Sequence, residues 1–123
     1  MNADSDVCDA GWYSAEYDYF VLEDEQHYYK LHLWGYSGDN VDGMQVTVDN
    51  GFYYMNGMNF STFDSEKYSN CAQYHCGGWW YNNCQDANFN GLYGVYYYWD
   101  PTNSMTNYGY LTASRMMLKL VLD

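Results

Sequence analysis

Four cysteines, and the residues between the last three of them, are the part of this chain whose types and spacing could do chemistry. Cys71 and Cys84 lie thirteen positions apart, and a bridge across a loop of this size stabilises a folded state by about 3 kcal/mol in the loop-entropy model. Between them stands the run Gly-Gly-Trp-Trp-Tyr-Asn-Asn (77–83), in which two glycines allow a tight turn before large aromatic rings. The pattern predicts a disulfide-closed recognition loop.

Catalytic chemistry is not indicated. The three histidines are isolated in sequence, and no serine stands in a nucleophile-elbow pattern. Cys71, His75, Cys76 and Cys84 formally provide four zinc ligands, but their spacing matches no common zinc finger. We therefore expect a binding protein and not an enzyme.

Net charge restricts the partners. The formal charge is -12, and the only cations are Lys30, Lys67, Arg115 and Lys119. Such a chain repels nucleic-acid phosphates and anionic membrane surfaces, so neither is an expected partner. Calcium, or a neutral or cationic ligand, is compatible with this charge.

Four cysteines in a small, tyrosine-rich chain favour an oxidising compartment, with a reduced cytosolic protein as the alternative. Residues 1–12 contain acidic residues and no apolar run, which is unlike a secretory signal, and no stretch is long enough to cross a bilayer. A signal on a missing segment and a truncated product are both compatible with this pattern. The length predicts one domain, residues 1–123.

Two strands are predicted in the first third of the chain. Alternating side chains over Glu16–Leu22 and Tyr29–Trp34 are typical of strands with one buried face, separated by a turn at Asp24 and Glu25. Gly35–Gly43 is predicted as a loop, and Met44–Val48 as a strand or part of a short helix.

The rest of the chain shows little regular pattern. Asn50–Tyr110 is rich in Asn, Gly, Tyr and Trp and is predicted to be loop-rich. Leu111–Leu122 ends in alternating Leu118, Leu120 and Leu122, which predicts a returning strand that enters a central sheet.

Several segments, in order, resemble the fibrinogen C-terminal domain of ficolins, tachylectins, angiopoietins and fibrinogen chains. They are Ala15–Tyr17, Tyr28–Gly38, Asn56–Asp64, the stretch from Cys71 to Tyr93, and Ser114–Met117. The resemblance implies a strand-rich α+β domain with a central antiparallel sheet, few short helices and a large loop-rich ligand-binding subdomain. Family domains also carry an N-terminal subdomain, which would precede Trp12.

The resemblance implies that Cys71 pairs with Cys84. Cys8 and Cys76 do not match the family pattern. They can bridge each other, bind another chain or remain free thiols, and the sequence leaves these three alternatives open.

Family members hold calcium after a Ser-Thr-aromatic-Asp motif, with two acidic side chains one residue apart and backbone carbonyls as ligands. Asp64 and Glu66 occupy those positions here, and hard oxygen donors suit calcium. The segment from Asp64 to Cys71 is about three residues shorter than in the family. The alternative is a solvated acidic turn neutralised by Lys67.

Ficolin-like and tachylectin-like members recognise acetyl groups beside the second loop cysteine, with aromatic walls and a histidine after that cysteine. In this chain the resemblance points to Tyr74, His75, Tyr81, Cys84 and Gln85. Gln85 stands where the histidine is expected and can still donate and accept hydrogen bonds, and His75 stands where the family has a wall tyrosine. A further pocket loop is missing after Tyr93.

Aromatic residues of the loop have a second interpretation, because large rings supply most of the buried area of a loop-rich subdomain. Trp79 and Trp80 are predicted to be core on this basis, and Tyr81 is the one of the three most apt to contact a ligand.

The sequence thus predicts a secreted, lectin-like module of innate-immune type that binds an acetylated glycan or cell-surface ligand, with calcium stiffening the neighbouring loop. The alternative is a protein-interaction or adhesive module without a lectin pocket, or a degenerate copy. Either working class is compatible with a homo-oligomer.

Overall fold

A computed structural model of the 123-residue chain describes residues 12–39, 42–45, 54–66, 70–84, 87–95, 97–99 and 111–122. Its regular elements are few and short. Strands β1 (Ala15–Leu22) and β2 (Leu31–Gly38) form one antiparallel sheet, and β3 (Ala87–Asn88) and β4 (Tyr98–Trp99) form another. Helix α1 (Cys71–His75) follows β2 and precedes β3 in the sequence. This is the strand-rich α+β architecture that the sequence predicts.

The β1–β2 hairpin confirms the two predicted strands, except that β2 begins at Leu31 and Tyr29 lies in the turn before it. Its register pairs Leu22 with Leu31 and Phe20 with Leu33. Leu31 and Leu33 are fully buried, because alternate side chains of β2 point to the core. Between the strands the chain makes a short 3-10 turn at Glu25–His27, in which the Asp24 carboxylate accepts a hydrogen bond from the His27 amide at 3.2 Å.

The end of β2 corrects one expectation. The region Gly35–Gly43 was predicted as a loop, but its first four residues continue the strand. Gly35 has a φ of +78°, and a Cβ on it would lie 2.6 Å from that of Asp18 on β1. A glycine is therefore what allows the strand to pass this point. Met44 and Gln45 lie in a turn, and the rest of Met44–Val48 is outside the described residues.

Loop residues occupy the outer edge of β2. The Leu31 amide donates to the Met58 carbonyl at 3.0 Å, and the Leu33 amide donates to the Asn56 side-chain oxygen at 2.9 Å. The Gln45 side chain donates to the Leu33 carbonyl at 2.8 Å. These contacts tie the loop-rich part of the chain to the hairpin.

The predicted C-terminal strand is not present. Residues 111–122 are in no strand, and their apolar side chains from Met116 onward are exposed. The prediction was wrong at this point because alternating apolar residues show which side chains can share a face and do not by themselves provide a partner strand.

One core joins the hairpin to the loops. Its buried members are apolar or aromatic and come from every described part of the chain between β2 and β4: Leu31, Leu33, Met44, Met55, Cys71, Ala72, Trp79, Trp80, Tyr81, Ala87 and Trp99. The aromatic members supply most of the bulk that the short elements lack. Among the described residues, no helix is both long and apolar enough to span a membrane.

Candidate functional site

A disulfide closes the loop that contains α1 and the tryptophan pair. Cys71 and Cys84 are bonded, with their Cα atoms 5.5 Å apart. This is the pair that the family likeness implies. Since both cysteines are in a disulfide, neither is available as a thiolate ligand, and the formal zinc set of the sequence is wrong.

The two tryptophans fix the loop to the hairpin side of the core. The Trp79 indole donates to the Met55 sulfur at 3.0 Å, and the Trp80 indole donates to the Tyr29 carbonyl at 3.0 Å. The backbone of Trp79 also forms an antiparallel bridge with Ser61. Trp79 and Trp80 are core residues, as their structural interpretation predicted.

Glycine at position 77 allows a second segment to lie against the loop. A Cβ on Gly77 would lie 2.0 Å from the Asn90 carbonyl oxygen, which no larger residue could tolerate without a shift. The Asn90 side chain in turn donates to the Gly78 carbonyl at 2.9 Å. The segment around Asn88 and Asn90 is thereby held beside the disulfide loop.

His75 lies between two tyrosine rings. Its ring centroid is 5.2 Å from that of Tyr74, in an edge contact, and 5.9 Å from that of Tyr81, in a stacked arrangement. The imidazole is buried, and burial lowers its pKa from the usual value. His75 is therefore a neutral ring near pH 7.

Tyr81 is the buried ring on which His75 stacks. It is 7% exposed, against 6% for Trp80, so it is not the freely accessible member of the three aromatics that the sequence indicated. Its hydroxyl donates to the Gly77 carbonyl, and the buried Asn88 amide donates to the hydroxyl at 3.3 Å. Burial raises the pKa of Tyr81 to about 12.

Fewer of the predicted site residues are accessible than the sequence indicated. Tyr74 is 66% exposed and lies at the outer side of His75. Asn83 and Cys84 are joined by a cis peptide bond, and the Asn82 side chain donates to the Tyr54 carbonyl at 2.8 Å. Gln85 is outside the described residues. The structure thus brings Tyr74, His75, Tyr81 and Cys84 into one loop.

Asp64 and Glu66, the expected calcium ligands, line one open cavity of about 220 Å³ together with Tyr28, Asn59, Phe60, Ser61 and Ser65. The Thr62 hydroxyl donates to Asp64 at 2.7 Å, and the Ala72 amide donates to Glu66 at 2.7 Å. Each carboxylate keeps one oxygen without a partner among the described residues. The donor set fits a calcium ion in part, because six to eight oxygen ligands are usual and no group of three metal-ligating side chains is found in the described ranges.

Glu66 has a second role that sequence reasoning missed. α1 begins at Cys71, and its N-cap residue Asn70 makes no side-chain hydrogen bond to the helix. The Glu66 carboxylate accepts the Ala72 amide in its place, where a negative charge suits the free amides of a first turn. An acidic residue five positions before the helix was the only signal in the sequence.

Cys76 ends the helix in a left-handed conformation, and its thiol is free and exposed. Of the three alternatives for the remaining cysteines, the bridge between Cys8 and Cys76 is therefore not formed. Cys8 itself lies outside the described residues.

A family model described as the C-terminal globular domain of the fibrinogen beta and gamma chains matches residues 5–118. This chain belongs to that family. The resemblance found in the sequence is confirmed, and members of the fibrinogen-like family are non-enzymatic binding modules.

Two relatives show how the match is distributed. Techylectin-5A of Tachypleus tridentatus is 43% identical over 82 residues, which are 64% of this chain and 25% of that protein. Angiopoietin-related protein 6 of Mus musculus is 42% identical over 82 residues, which are 64% of this chain and 16% of that protein. The chain therefore spans a quarter or less of the length of these fibrinogen-like relatives.

Solved structures show the same fold. The fibrinogen-like globe domain of human ANGPTL2 has a TM-score of 0.59 and 37% identity, with 72% of this chain and 44% of that chain covered. Lamprey fibrin D-dimer has a TM-score of 0.59 and 29% identity, with 66% of this chain and 28% of that chain covered. The latter is complexed with the peptide ligand Gly-His-Arg-Pro-amide. The relatives include a protein named as a lectin and proteins that are not, so membership of the family does not decide the ligand.

The contact between Glu66 and α1 predicts two different effects for two substitutions. Glu66→Ala removes the acceptor of the Ala72 amide and should lower the free energy of unfolding by about 1.5 kcal/mol, the lower end of the usual range for a hydrogen bond to a charged group. Glu66→Gln keeps an amide oxygen that can accept this bond and should cost less. Urea unfolding would measure both, with the exposed Glu16→Ala as the matched control. Equal losses for Ala and Gln at position 66 would contradict this role.

The buried imidazole predicts a pH dependence. Because the pKa of His75 is lower in the folded than in the unfolded state, the unfolded chain binds the extra proton first. The stability linked to His75 is therefore fully present above about pH 6.5, the unfolded value, and is lost as the pH falls through and below it. His75→Phe should remove this part of the pH dependence in urea unfolding. NMR titration should find His75 half-protonated below its ordinary pKa, and a value above it would contradict the account.

Proposed function

We propose that this chain is an extracellular recognition module that binds acetylated carbohydrate at the disulfide loop, through Tyr74, His75, Cys84 and Gln85. The observation that carries the proposal is the arrangement of rings within the loop closed by Cys71 and Cys84, in which a neutral imidazole is held against an exposed tyrosine. The disulfide between Cys71 and Cys84 supports an oxidising compartment, and hence secretion.

An acetamido sugar offers two kinds of contact to such a surface. Its C–H faces and its methyl group can pack on the exposed Tyr74 ring and on the adjacent part of His75. Its amide can exchange hydrogen bonds with Gln85 and with backbone groups of the loop. Tyr81 acts behind these residues as a positioning residue, because its ring stacks on His75 and its hydroxyl is bonded to Gly77 and Asn88.

Electrostatics supports a neutral ligand. The chain carries a formal charge of -12, which disfavours anionic ligands in general. The described side chains of the site itself are an imidazole kept neutral by burial and two phenol groups. A ligand without net charge meets neither repulsion nor a large desolvation cost here.

Calcium is proposed as a stiffening ion of the neighbouring loop. Asp64 and Glu66 would hold it through the oxygens that remain free, and backbone carbonyls and water would complete its oxygen shell. Because Glu66 also contacts the first turn of α1, an ion at this place would brace the helix that carries Tyr74 and His75.

A second candidate function is a protein-interaction or adhesive module. The specific observation that favours it is the stacked pair Tyr19 and Trp34 on the β1–β2 hairpin, with ring centroids 3.9 Å apart and both side chains about half exposed. Tyrosine and tryptophan are enriched at protein interfaces. This surface is remote in sequence from the disulfide loop, so the two functions can be separated by substitution.

The acetyl-binding proposal predicts that Tyr74→Ala weakens retention on an N-acetylated resin, with a loss of affinity of about tenfold for one stacked aromatic contact. Tyr13→Ala is the matched control, since Tyr13 is 64% exposed and Tyr74 is 66% exposed. The elution step compares free N-acetylglucosamine with non-acetylated glucosamine, in calcium and in chelator.

Selective release by the acetylated sugar and a weaker Tyr74→Ala variant would support the proposal. Equal weakening by both tyrosine variants would mean that the surface contact is unspecific. Failure of the folded parent chain to bind would overturn the proposal of acetyl-group binding. The protein-interaction function would then be the leading candidate. A Tyr19→Ala, Trp34→Ala double variant with unchanged retention would separate the hairpin surface from the sugar site.

A further inference from the structure

One triplet of the sequence, Asn59-Phe60-Ser61, has the pattern of an acceptor for an N-linked glycan. The pattern requires an asparagine, any residue except proline, and then a serine or threonine, and it occurs once among the 123 residues. The pattern alone shows only that an acceptor exists. Whether the fold accommodates a glycan depends on the side of the chain on which Asn59 lies.

Phe60, the middle residue of the triplet, lies on the core side of its segment. Its ring centroid is 5.0 Å from that of Trp80, which is 6% exposed. A Cβ on Gly78 would lie 2.9 Å from the Phe60 ring and 3.3 Å from the Thr62 methyl carbon, so residues 60 and 62 face the same way. Alternate side chains of an extended segment point to opposite sides. The acceptor asparagine and the serine therefore lie on the side away from the tryptophan.

The outward side of the triplet opens into the cavity described above. Asn59 and Ser61 both line this cavity of about 220 Å³, together with Asp64 and Glu66. Both triplet residues are partly exposed, whereas Asn88, the asparagine of β3, is fully buried. The Asn59 side chain thus has an open path to solvent, which a bulky and hydrophilic glycan requires.

The contacts that hold the triplet in the fold are made by its main chain. The Phe60 amide donates to the Tyr28 carbonyl at 2.9 Å. Ser61 and Trp79 exchange two backbone hydrogen bonds, at 2.9 Å and 3.1 Å. A glycan on the asparagine side chain leaves these donors and acceptors in place. Glycosylation is therefore compatible with the docking of this segment on the hairpin turn and on the disulfide loop.

We propose that Asn59 carries an N-linked glycan that leaves the chain through the open cavity beside Asp64 and Glu66. In the reaction, the Asn59 side-chain nitrogen bonds to the anomeric carbon of an oligosaccharide carried on a lipid diphosphate. The bond from that carbon to the diphosphate breaks, the diphosphate leaves with the lipid, and the nitrogen loses one proton. The inference rests on the proposed extracellular location, because the donor belongs to the secretory pathway, and it does not rest on sugar binding.

A glycan at this position would also cover exposed apolar surface. Phe63, two residues after the triplet, is 78% exposed. An uncharged, hydrophilic oligosaccharide beside it would restrict access to this ring and would meet no repulsion from Asp64 and Glu66. The proposal therefore predicts that the glycan protects the chain at Phe63.

Production of the full chain behind a cleavable signal peptide in cultured eukaryotic cells tests for the glycan. We expect the secreted protein to lose mass when peptide-N-glycosidase removes the oligosaccharide. The enzyme leaves an aspartate at the acceptor position, so digestion in heavy-oxygen water labels this residue for mass spectrometry. Asn59→Gln and Ser61→Ala should each abolish the mass loss, whereas Ser61→Thr should keep it. Ser65→Ala is the matched control, since Ser65 lines the same cavity outside the triplet, and it should keep the glycan.

Limited digestion with chymotrypsin tests where the glycan lies. Cleavage after Phe63 should be several-fold slower in the glycosylated chain than in the same chain after glycosidase treatment, because the oligosaccharide blocks access. Cleavage after Tyr13, which is 64% exposed and remote in sequence from the triplet, should proceed at the same rate in both. Near-UV circular dichroism checks that the treated chain keeps its fold.

Three results would overturn the proposal. The first is a secreted parent chain whose mass the glycosidase leaves unchanged. The second is a mass loss that Asn59→Gln retains, because the glycan would then be elsewhere. The third is equal cleavage after Phe63 with and without the glycan, which would contradict the exit through the cavity. Since the signal peptide is supplied, a missing glycan is a failure of this site alone. A folded, glycosylated chain that the N-acetylated resin does not retain would instead refute the sugar-binding proposal.

Discussion

The disulfide between Cys71 and Cys84 is the constraint on which the rest of this structure depends. The chain has one five-residue helix and two small sheets in its described parts, so regular hydrogen bonding covers little of the region between the hairpin and the C-terminal segment. Closing the loop from Cys71 to Cys84 within that region removes conformational freedom from the unfolded chain, and this loss is how a disulfide stabilises a folded state in the loop-entropy model. The closed loop then presents Trp79 and Trp80 to the core from a fixed position.

Burial and the proposed ligand contacts are combined in the same short loop. Two tryptophans face inward and donate to Met55 and Tyr29, while the neighbouring helix turns Tyr74 outward beside His75. Rigid aromatic neighbours lower the entropy that a bound ligand must otherwise remove from its site. The same packing keeps the imidazole neutral, so the surface is apolar and hydrogen-bonding although the chain as a whole is strongly acidic.

Much of the fold could be predicted from the sequence, because alternating side chains define β1 and β2 and an ordered set of motifs defines the family. The errors have physical causes. Gly35 looked like a loop residue, but it is required where the Asp18 side chain crosses the hairpin. Leu111–Leu122 was predicted as a strand that enters the sheet, but alternation shows which residues can share a face and not whether a partner strand is available. Glu66 was predicted as a calcium ligand or as part of a solvated acidic turn, and its contact with α1 was missed, since the sequence does not show that the helix lacks a side-chain cap at Asn70.

Amide hydrogen exchange, measured by mass spectrometry, tests most directly whether the disulfide holds the loop from Cys71 to Cys84 in place. The comparison is between the parent chain and a Cys71→Ser, Cys84→Ser variant. Our account predicts that the amides of 71–84, including that of Trp79 in its bridge with Ser61, lose their protection when the bond is absent. Unchanged protection of these amides in the variant would contradict it, because the loop would then keep its place through packing alone.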